Sequence, residues 1–528
     1  MGGPCFLGID VGTGSARAGL FDAEGHMLAT ARRDIKMWRE GADIAEQSSD
    51  DIWGAVCAAT REAVSGIDPA RVGGIGFDAT CSLVVLGPDG APLTISASGD
   101  PARNIIVWMD HRATDQATRI NQGGHAVLRY VGDVISPEME TPKLLWLREH
   151  MHATYDAAWQ FFDLADYLGW RATGDLARSS CTVTCKWTYL AHEDRWDGDY
   201  FRAIGLGDLA DEDFARIGQR VVAPGTRLGQ GLTAQAAEAM GLCPGIPVGA
   251  GLIDAHAGGI GTVGITGTPE SNLAYVFGTS SCTMTTTQAP VFVPGVWGPY
   301  YQAMMPGLWL NEGGQSAAGA AIDQLLAYHP FAAQAQGLAE AQPLPVWLAG
   351  QAAARVAGLS DAVTLAGGLH VVPEFLGNRA PFADPQARAI IAGLDMARDL
   401  DSLIALYVAG LTGIAYGLRQ ILAAQEAAGA RVRRIVISGG AGQSDLVRQL
   451  LADGTGLPVL ASEAAEPVLL GAAILGAVAA GAHPDMPAAM AAMSRPGAEY
   501  RPDPQTAALH AARFATFRAL QSVLREGR

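Results

Sequence analysis

The amino-acid sequence predicts an α/β protein with two similar domains around a central cleft. The chain has 528 residues, of which 49% are hydrophobic and 17% are charged, and this length exceeds what one core normally holds. A strand–turn–strand pattern near the N-terminus returns about half the chain later. Between the two patterns, residues 249–261 form an apolar, glycine-dense run with a single acid, Asp254. The repeat therefore predicts two domains, and the intervening run is a candidate for the cleft.

The first pattern is a predicted hairpin. Residues 6–15 indicate a strand that enters a glycine turn, and residues 16–21 indicate a second strand. Arg17 occupies the place of a third glycine and no helix follows, so the pattern is not typical of a dinucleotide-binding turn. The turn N–H groups and the Thr13 hydroxyl could still hold a phosphate, and Asp10 could hold Mg²⁺ through water. The alternative is an ordinary hairpin turn with a satisfied aspartate.

The second pattern covers residues 271–284, where an apolar strand again ends in a glycine turn. Here Gly278, Thr279 and Ser280 take the place of the first turn. Two such turns that face each other across a cleft would form a clamp for the phosphates of a nucleotide. The repeat favours this interpretation, because one isolated turn would carry little weight.

A third glycine turn supports the clamp. Residues 434–438 indicate a strand that ends at Gly439, Gly440 and Ala441, and Asp445 begins a predicted helix. A nucleotide can lie over such a turn with its phosphates close to the N–H groups at the start of the helix.

Asp254 lies at a predicted strand-to-helix junction. Residues 246–248 indicate the start of a buried strand, and the alanines and glycines after Asp254 suit a closely packed helix. The free N–H groups and the positive dipole end of that helix would favour a charged carboxylate that can accept a proton. The alternative is a helix N-cap without chemistry.

Composition excludes several classes of function. The formal net charge of −17 argues against nucleic acid as a partner, so a phosphate site has to be built locally. The seven cysteines are scattered and no histidine completes a zinc site, which predicts reduced thiols in a cytoplasmic protein. No signal peptide is recognised, and the longest apolar run, residues 468–482, is short and glycine-rich, which favours a buried helix over a membrane span.

Two further segments concern the fold and a pocket. A helix is predicted from Asp399 to Gly429, because its apolar residues share one face and it ends at a glycine. Trp108, Asp110 and Arg112 alternate, so on a strand they would share one face and could line a pocket. A buried structural ion pair explains the last two residues equally well.

With these motifs in place, the chain resembles the FGGY family of carbohydrate kinases, whose two domains are ribonuclease-H-like, as in actin-like ATPases. The resemblance runs along essentially the whole length. Its seven motifs, in order, are DVGTGS (10–15), WMDHR (108–112), DLADYL (163–168), GLIDAH (251–256), GTSS (278–281), GNRAPFADP (377–385) and SGGA (438–441). Within the family, DATCS (78–82), CKW (185–187) and NEGGQS (311–316) look most like the ribulokinase branch, and the whole sequence resembles the D-ribulokinase group.

The resemblance implies ATP-dependent phosphorylation of a sugar hydroxyl, D-ribulose to D-ribulose 5-phosphate, with Mg²⁺ as the metal ion. Asp254 matches the family's catalytic base, and Asp10 would support Mg²⁺. Such a transfer needs mainly positioning, charge neutralisation and a carboxylate that takes the hydroxyl proton. The implied contacts are Thr80, Cys81, Lys186, Asp254 and Glu312 for the sugar, and Thr13, Gly278, Thr279, Ser280, Gly439, Gly440 and Ala441 for the nucleotide.

Two of these residues also have an explanation that does not involve substrate binding. Lys186 beside Trp187 could be a solvated charge, and Glu312 could cap a helix predicted at residues 317–326. The implied domains are residues 1–262, with the sugar site and the base, and residues 263–528, with the nucleotide site. A hinge is predicted near Gly261 to Gly267.

Other functions stay open at this point. The sugar could be L-ribulose, xylulose or a polyol, and the same architecture also serves actin- and chaperone-like ATPase switches. A switch protein would need an appended peptide-binding or polymerising segment, and none is evident after Arg501. The expected partners are a small sugar and ATP, with no nucleic acid and no membrane, and a homodimer is an option that the sequence leaves open.

Overall fold

The computed structural model describes residues 3–266 and 269–526 of the chain. The strands of the first half are β1 (Cys5–Val11), β2 (Ser15–Asp22), β3 (Met27–Asp34), β4 (Met37–Glu40), β5 (Ile44–Gln47), β6 (Val72–Ala79), β7 (Leu83–Leu86), β8 (Ile105–Ile106), β9 (Gln160–Asp163), β10 (Arg178–Ser179), β11 (Val221–Val222) and β12 (Val248–Ile253). Its helices are α1 (Ser49–Ala63), α2 (Thr114–Gln122), α3 (Glu140–His150), α4 (His152–Ala157), α5 (Leu164–Thr173), α6 (Ser180–Lys186), α7 (Gly198–Ile204), α8 (Gly207–Asp211), α9 (Ala234–Met240) and α10 (Asp254–Val263).

The second half continues the same numbering. Its strands are β13 (Asn272–Phe277), β14 (Ser281–Thr287), β15 (Trp297–Tyr301), β16 (Trp309–Gln315), β17 (His370–Val372), β18 (Ile390–Ala392), β19 (Arg434–Ser438), β20 (Val459–Ser462) and β21 (Pro496–Tyr500). Its helices are α11 (Gly319–Ala327), α12 (Ala332–Ala339), α13 (Leu344–Ala353), α14 (Leu400–Ala427), α15 (Asp445–Thr455), α16 (Pro467–Ala479), α17 (Met486–Met493) and α18 (Ala507–Glu526).

The first half is organised on a five-stranded sheet with the order β12-β6-β1-β2-β3. β1 and β2 form the predicted antiparallel hairpin, while β6 and β12 run parallel to β1. Every residue of β1 is buried, which fits its nearly continuous apolar sequence, because a parallel strand is covered on both faces. A second sheet, β4-β5-β8-β7-β9, extends this half around the cleft.

The second half repeats the first arrangement. β13 and β14 form the second predicted hairpin, and β19 and β20 lie parallel to β13 in a sheet with the order β15-β16-β14-β13-β19-β20-β21. In both halves a hairpin is thus followed by two parallel strands on one side. The prediction of two similar α/β domains is confirmed.

Two helices cross between the sheets. α10 follows β12 of the first sheet and packs on β13 and β19 of the second, whereas α16 follows β20 of the second sheet and packs on β1, β6 and β12 of the first. Glycines allow α16 to approach closely: a Cβ atom on Gly8 would lie 2.0 Å from the Leu469 carbonyl oxygen, and one on Gly76 would lie 2.0 Å from that of Ala472. α16 also confirms the buried helix predicted at residues 468–482.

The domain boundary at residues 262 and 263 falls within α10 and stays a prediction. Gly267, at the end of the predicted hinge region, lies outside the described residues.

The long predicted helix is α14, whose start is capped by the Asp399 carboxylate, which accepts the Ser402 N–H at 3.0 Å. By length and composition α14 could cross a membrane, but 72% of its most apolar window is buried inside the protein. This burial is what a core helix shows, and α14 packs against α11 and α15.

Trp108, Asp110 and Arg112 do not lie on a strand, and the alternative of a buried ion pair is confirmed for the last two residues. β8 ends at Ile106, and a turn follows, in which the Asp110 N–H donates to the Val107 carbonyl at 3.0 Å. Asp110 and Arg112 instead form a buried ion pair, in which Arg112 Nε donates to Asp110 Oδ1 at 2.8 Å. The alternation of these residues in the sequence therefore reflects a turn that the Asp110–Arg112 pair holds in place.

Candidate active site

A cavity of about 1330 Å³ lies between the two halves, and residues from both halves line it. It contains seven of the residues that the sequence assigned to the sugar or to the nucleotide. They are Thr13, Thr80, Cys81, Lys186, Asp254, Ser280 and Glu312. The first and last of these residues are 299 positions apart in the sequence, and the fold brings them to one cavity.

Asp254 is the first residue of α10, directly after β12, as the sequence predicted. Its Oδ1 accepts the Ala255 N–H at 2.7 Å. Burial and the charge of Asp10 raise the pKa of Asp254 to about 6, although the Ala255 N–H, His256 and Lys186 counteract this rise. A carboxylate with such a pKa is mostly ionised at neutral pH and can still take up a proton, which suits a general base.

Asp10 lies near the end of β1 and is buried. Arg17 on the adjacent β2 donates from Nε to Asp10 Oδ2 at 2.6 Å. The same guanidinium donates from Nη1 to Glu466 Oε2 of the second half at 2.8 Å. Asp10 does not line the cavity itself, but its negative charge raises the pKa of Asp254.

Sequence reasoning missed Asp78, which lies opposite Asp10 on the adjacent strand β6. Asp78 is fully buried, and neither of its carboxylate oxygens has a donor partner among the described residues. Burial, followed by the charges of Asp10 and Asp254, raises the pKa of Asp78 well above its usual range. A proton between Asp10 and Asp78 would give both groups a partner. The available signal was one acid in an otherwise apolar, glycine-rich strand.

The two carboxylates at the ends of β1 and β6 would hold Mg²⁺ only after the proton between them is released. Among residues 3–266 and 269–526, no three His, Cys, Asp or Glu side chains are placed to hold a metal ion together. Mg²⁺ usually binds one or two carboxylates, several waters and the phosphates of a substrate, so a complete protein cage is not required. The orphaned oxygens of Asp78 beside Asp10 match such a partial site.

Lys186, at the end of α6, is only 6% exposed. Lys186 lines the cavity, and its Nζ sits 4.9 Å from the centre of the Trp297 ring. Burial opposes the charge of Lys186, but Cys81 and Glu312 raise its pKa well above the usual value. An ammonium group in so enclosed a position is stabilised by a hydrogen-bond acceptor, so a ligand oxygen in the cavity would bind favourably at this point. The alternative of a solvated lysine is wrong.

Glu312 lies on β16, and α11 begins seven residues later at Gly319, so Glu312 is not a helix cap. Arg379 Nη2 donates to its Oε1 at 2.8 Å, and His256 Nε2 lies 3.3 Å from its Oε2. Burial opposes ionisation, but His256 and Arg379 together bring the pKa of Glu312 to about 2. Arg379 also stacks 4.7 Å above the centre of the Trp297 ring. Arg379 belongs to the GNRAPFADP motif (377–385), whereas the sequence gave no signal for Trp297.

The two predicted phosphate turns have related geometry. The Gly12 N–H donates to the Ser15 carbonyl at 3.0 Å, and the Gly278 N–H donates to that of Ser280 at 2.9 Å. Thr13 Oγ1 accepts from Trp108 Nε1 at 3.0 Å, which fixes the hydroxyl at the cavity wall. Only Thr13 and Ser280 of these turns line the cavity.

Gly278 and Thr279 lie behind that wall. Their carbonyl oxygens accept the N–H groups of Gly319 and Ala318, each at 2.9 Å, so this turn is fastened to the start of α11.

The third glycine turn lies next to the second one. Gly439 has a φ of 94°, and a Cβ atom there would lie 2.5 Å from the Phe277 carbonyl oxygen, directly before Gly278. Gly440 begins a short 3₁₀ turn that also contains Ala441, of which only the backbone is described. Gly439 and Gly440 do not line the cavity, and the contact of this turn with a nucleotide stays a prediction.

Comparison with known proteins agrees with this geometry. Sequence models of the FGGY family of carbohydrate kinases match residues 5–261 as the N-terminal domain and residues 273–480 as the C-terminal domain. The FGGY carbohydrate kinase domain-containing protein of Homo sapiens is 47% identical over 504 residues, which cover 93% of this chain and 91% of that protein. A D-ribulokinase of Saccharomyces cerevisiae is 37% identical over 521 residues, which cover 90% of this chain and 72% of that protein.

A solved structure shows the same fold. The xylulose kinase from Rhodospirillum rubrum superposes with a TM-score of 0.83, at 23% identity, over 99% of each chain.

Proposed function

Because the chain belongs to the FGGY family of carbohydrate kinases, it is a sugar kinase, and we propose that it transfers the terminal phosphoryl group of ATP to D-ribulose, giving D-ribulose 5-phosphate. The observation that carries the proposal is the buried Lys186 side chain, which shares one cavity with Asp254 and Glu312. The relative named D-ribulokinase supports this choice of sugar.

The sugar would be held by polar groups of both charges. Lys186 would donate to a sugar oxygen, and Glu312 would accept from hydroxyl groups through the lone pairs that Arg379 and His256 leave free. Thr80 and Cys81, which line the same cavity, would complete the pocket. Several hydrogen bonds of this kind would fix one hydroxyl beside Asp254 and so reduce the entropy cost of reaching the reactive geometry.

Asp254 would act as the general base and accept the proton of the attacked hydroxyl. Its pKa of about 6 keeps it ionised before the reaction and basic enough to hold the proton afterwards. Mg²⁺, when bound near Asp10 and Asp78, would neutralise charge on the phosphates. Thr13, Ser280 and the backbone of the second turn would face the phosphates, and Gly439 to Ala441 would lie on the adenosine side.

The same proposal assigns the sugar site and the base to residues 1–262 and the nucleotide site to residues 263–528. It places the enzyme in the cytoplasm, since its substrates are small metabolites. L-ribulose, xylulose and polyols are the competing substrates, and no contact in the described chain favours one of them over D-ribulose. An ATPase switch has no observation of its own in support.

The experiment is an ADP-release assay with the purified chain, ATP and Mg²⁺ over D-ribulose, L-ribulose, D-xylulose and ribitol. We expect kcat/KM to be highest for D-ribulose, with phosphate on the terminal hydroxyl as read by ³¹P and ¹³C NMR. A reaction without sugar measures idle ATP hydrolysis and should be slow. If another sugar gave a higher kcat/KM, that sugar would be the substrate in place of D-ribulose. ADP release that is independent of every sugar would refute the assignment as a sugar kinase.

A further inference from the structure

Three buried side chains form a continuous chain from the first half to the second. Cys181 Sγ on α6 lies 3.1 Å from His256 Nδ1 on α10, and His256 Nε2 lies 3.3 Å from Glu312 Oε2 on β16. Cys181 and His256 are fully buried, and Glu312 is 7% exposed. The chemistry derived above uses Glu312 but gives no role to Cys181 or His256.

The surroundings of this chain favour charge on all three groups. Burial alone would keep the Cys181 thiol neutral, but Cys185, His256 and the Ile253 N–H, which donates to Cys181 Sγ at 3.4 Å, lower its pKa. Burial likewise opposes protonation of His256, but Cys181 and Glu312 raise its pKa. The result is an imidazolium between a thiolate and a carboxylate, in which each charge has an opposite neighbour.

On other elements, Asp163 and Asp166 oppose a charged Cys181, but burial raises the pKa of both carboxyl groups and so reduces their negative charge. Lys186 on α6 and Arg379, in the loop after β17, add positive charge near Glu312. Asp254, two residues before His256 on α10, adds negative charge that favours the imidazolium. The thiol of Cys185 faces Cys181 one turn further along α6.

We propose that His256, with Cys181 behind it, is a positioning residue that holds Glu312 in the orientation that binds the sugar and ties that orientation to the contact between the two halves. Arg379 holds Oε1 of Glu312 from the same half, while His256 holds Oε2 from the opposite half. The sugar-binding carboxylate is therefore correctly aimed only while the halves are docked. This inference rests on the proposed function in one respect, namely that Glu312 contacts the sugar.

Three variants and one control test the proposal kinetically. His256→Gln keeps a side-chain donor without the charge, Cys181→Ser replaces the thiolate with a neutral hydroxyl, and Cys181→Asp restores a negative charge. Cys57→Ser, a buried cysteine on the remote helix α1, is the matched control. Thermal melts first establish which variants are folded.

We expect His256→Gln and Cys181→Ser to raise KM for the sugar about 10- to 100-fold, as for loss of a hydrogen bond to a charged group, while KM for ATP changes little. Cys181→Asp should recover most of the sugar KM, and Cys57→Ser should match the wild type. An unchanged sugar KM in His256→Gln, an equal rise in both KM values, or a Cys181→Asp that behaves like Cys181→Ser would overturn the proposal.

A second readout does not depend on activity. The ultraviolet absorbance of a thiolate should be present in the wild type and in Cys57→Ser at neutral pH, and absent from Cys181→Ser and His256→Gln. ¹⁵N NMR should show both ring nitrogens of His256 protonated in the same wild-type sample. If no sugar is phosphorylated, the proposed function fails, and these spectra still decide the charged pair. An imidazole that is neutral at pH 7 would overturn it, whatever the kinetics.

Discussion

In the first half, β1 and β6 place Asp10 opposite Asp78, whereas the same two positions of the second half, on β13 and β19, hold Val276 and Ser438. The comparison extends to the crossing helices. α10 begins with Asp254, which lines the cleft, while α16 is preceded by Glu466, which binds Arg17 instead. At these positions the first half thus has three acids. The second half has at most Glu466, which is already paired with Arg17.

This difference shows how one fold serves two tasks. Carboxylates at these positions in both halves would repel a polyphosphate, so a metal ion and a proton acceptor are best confined to one set of them. The second half keeps the backbone turns and offers N–H groups and hydroxyls in place of acids. The two turns also differ in what holds them. The Trp108 side chain fixes Thr13, whereas backbone groups at the start of α11 fix the turn at Gly278.

The largest expected effect separates Asp254 from its counterpart Glu466. Asp254→Asn keeps the volume but removes the proton acceptor, so kcat should fall about 10²- to 10⁴-fold while sugar and nucleotide still bind. Glu466→Gln removes a partly exposed ion pair and should change kcat by no more than a few-fold. Steady-state kinetics and calorimetric binding measure both variants. Near-wild-type turnover in Asp254→Asn would show that Asp254 is not the base and that the two halves do not differ in this way.

The next effect concerns the metal ion. Asp10→Ala should raise the Mg²⁺ concentration needed for half-maximal turnover about 10- to 100-fold, as for other groups that hold a metal through water, with a smaller change in sugar KM. Ser438→Ala, at the position that corresponds to Asp78, serves as the control in the second half. A Mg²⁺ titration of Asp10→Ala that coincides with the wild type would reduce Asp10 to a structural partner of Arg17.

A pH profile sharpens the assignment of the base. The pKa of Asp254 is raised to about 6, and the reaction needs its deprotonated form. kcat/KM should therefore be level above about pH 7 and fall about tenfold per unit well below pH 6. Glu466→Gln should keep this inflection, and the residual activity of Asp254→Asn should lose it. An inflection that survives in Asp254→Asn would point to a different titrating group.

The smallest effect concerns stability rather than chemistry. A Cβ atom on Gly471 of α16 would lie 1.9 Å from the Ala257 carbonyl oxygen of α10, so Gly471→Ala should lower the free energy of unfolding by about 1–3 kcal/mol. Gly54 on α1 has no such neighbour within 4 Å, and Gly54→Ala should raise stability by about 0.5–1 kcal/mol. Denaturant titration gives both values. A stabilised Gly471→Ala would mean that the crossing helices are loosely packed.

Local patterns in the sequence carried much of this fold. Both hairpins, the junction at Asp254 and the start of the long helix at Asp399 were predicted because turns, helix starts and strand-to-helix junctions are set by nearby residues. The strand through Trp108 failed because its alternation is produced by the buried Asp110–Arg112 pair, which a periodicity argument does not see.

The candidate site was predictable only in part. Motifs identified Lys186 and Glu312, but their burial and charge partners depend on contacts between distant segments. Arg379 and Glu312, for example, are 67 residues apart. Asp78 was quoted within a motif and not recognised, because its meaning comes from Asp10 on the neighbouring strand.

The crossing of α16 has a consequence for synthesis on the ribosome. The sheet of β12, β6 and β1 is complete once Ile253 has emerged, but the helix that covers one of its faces ends only at Ala479. We expect one apolar face of the first half to stay uncovered during translation until α16 has been synthesised. A chain that stops at residue 262 should therefore remain protease-sensitive. Limited proteolysis of that fragment, with and without a peptide of residues 467–479, would measure how much of the first domain's stability comes from the far end of the chain.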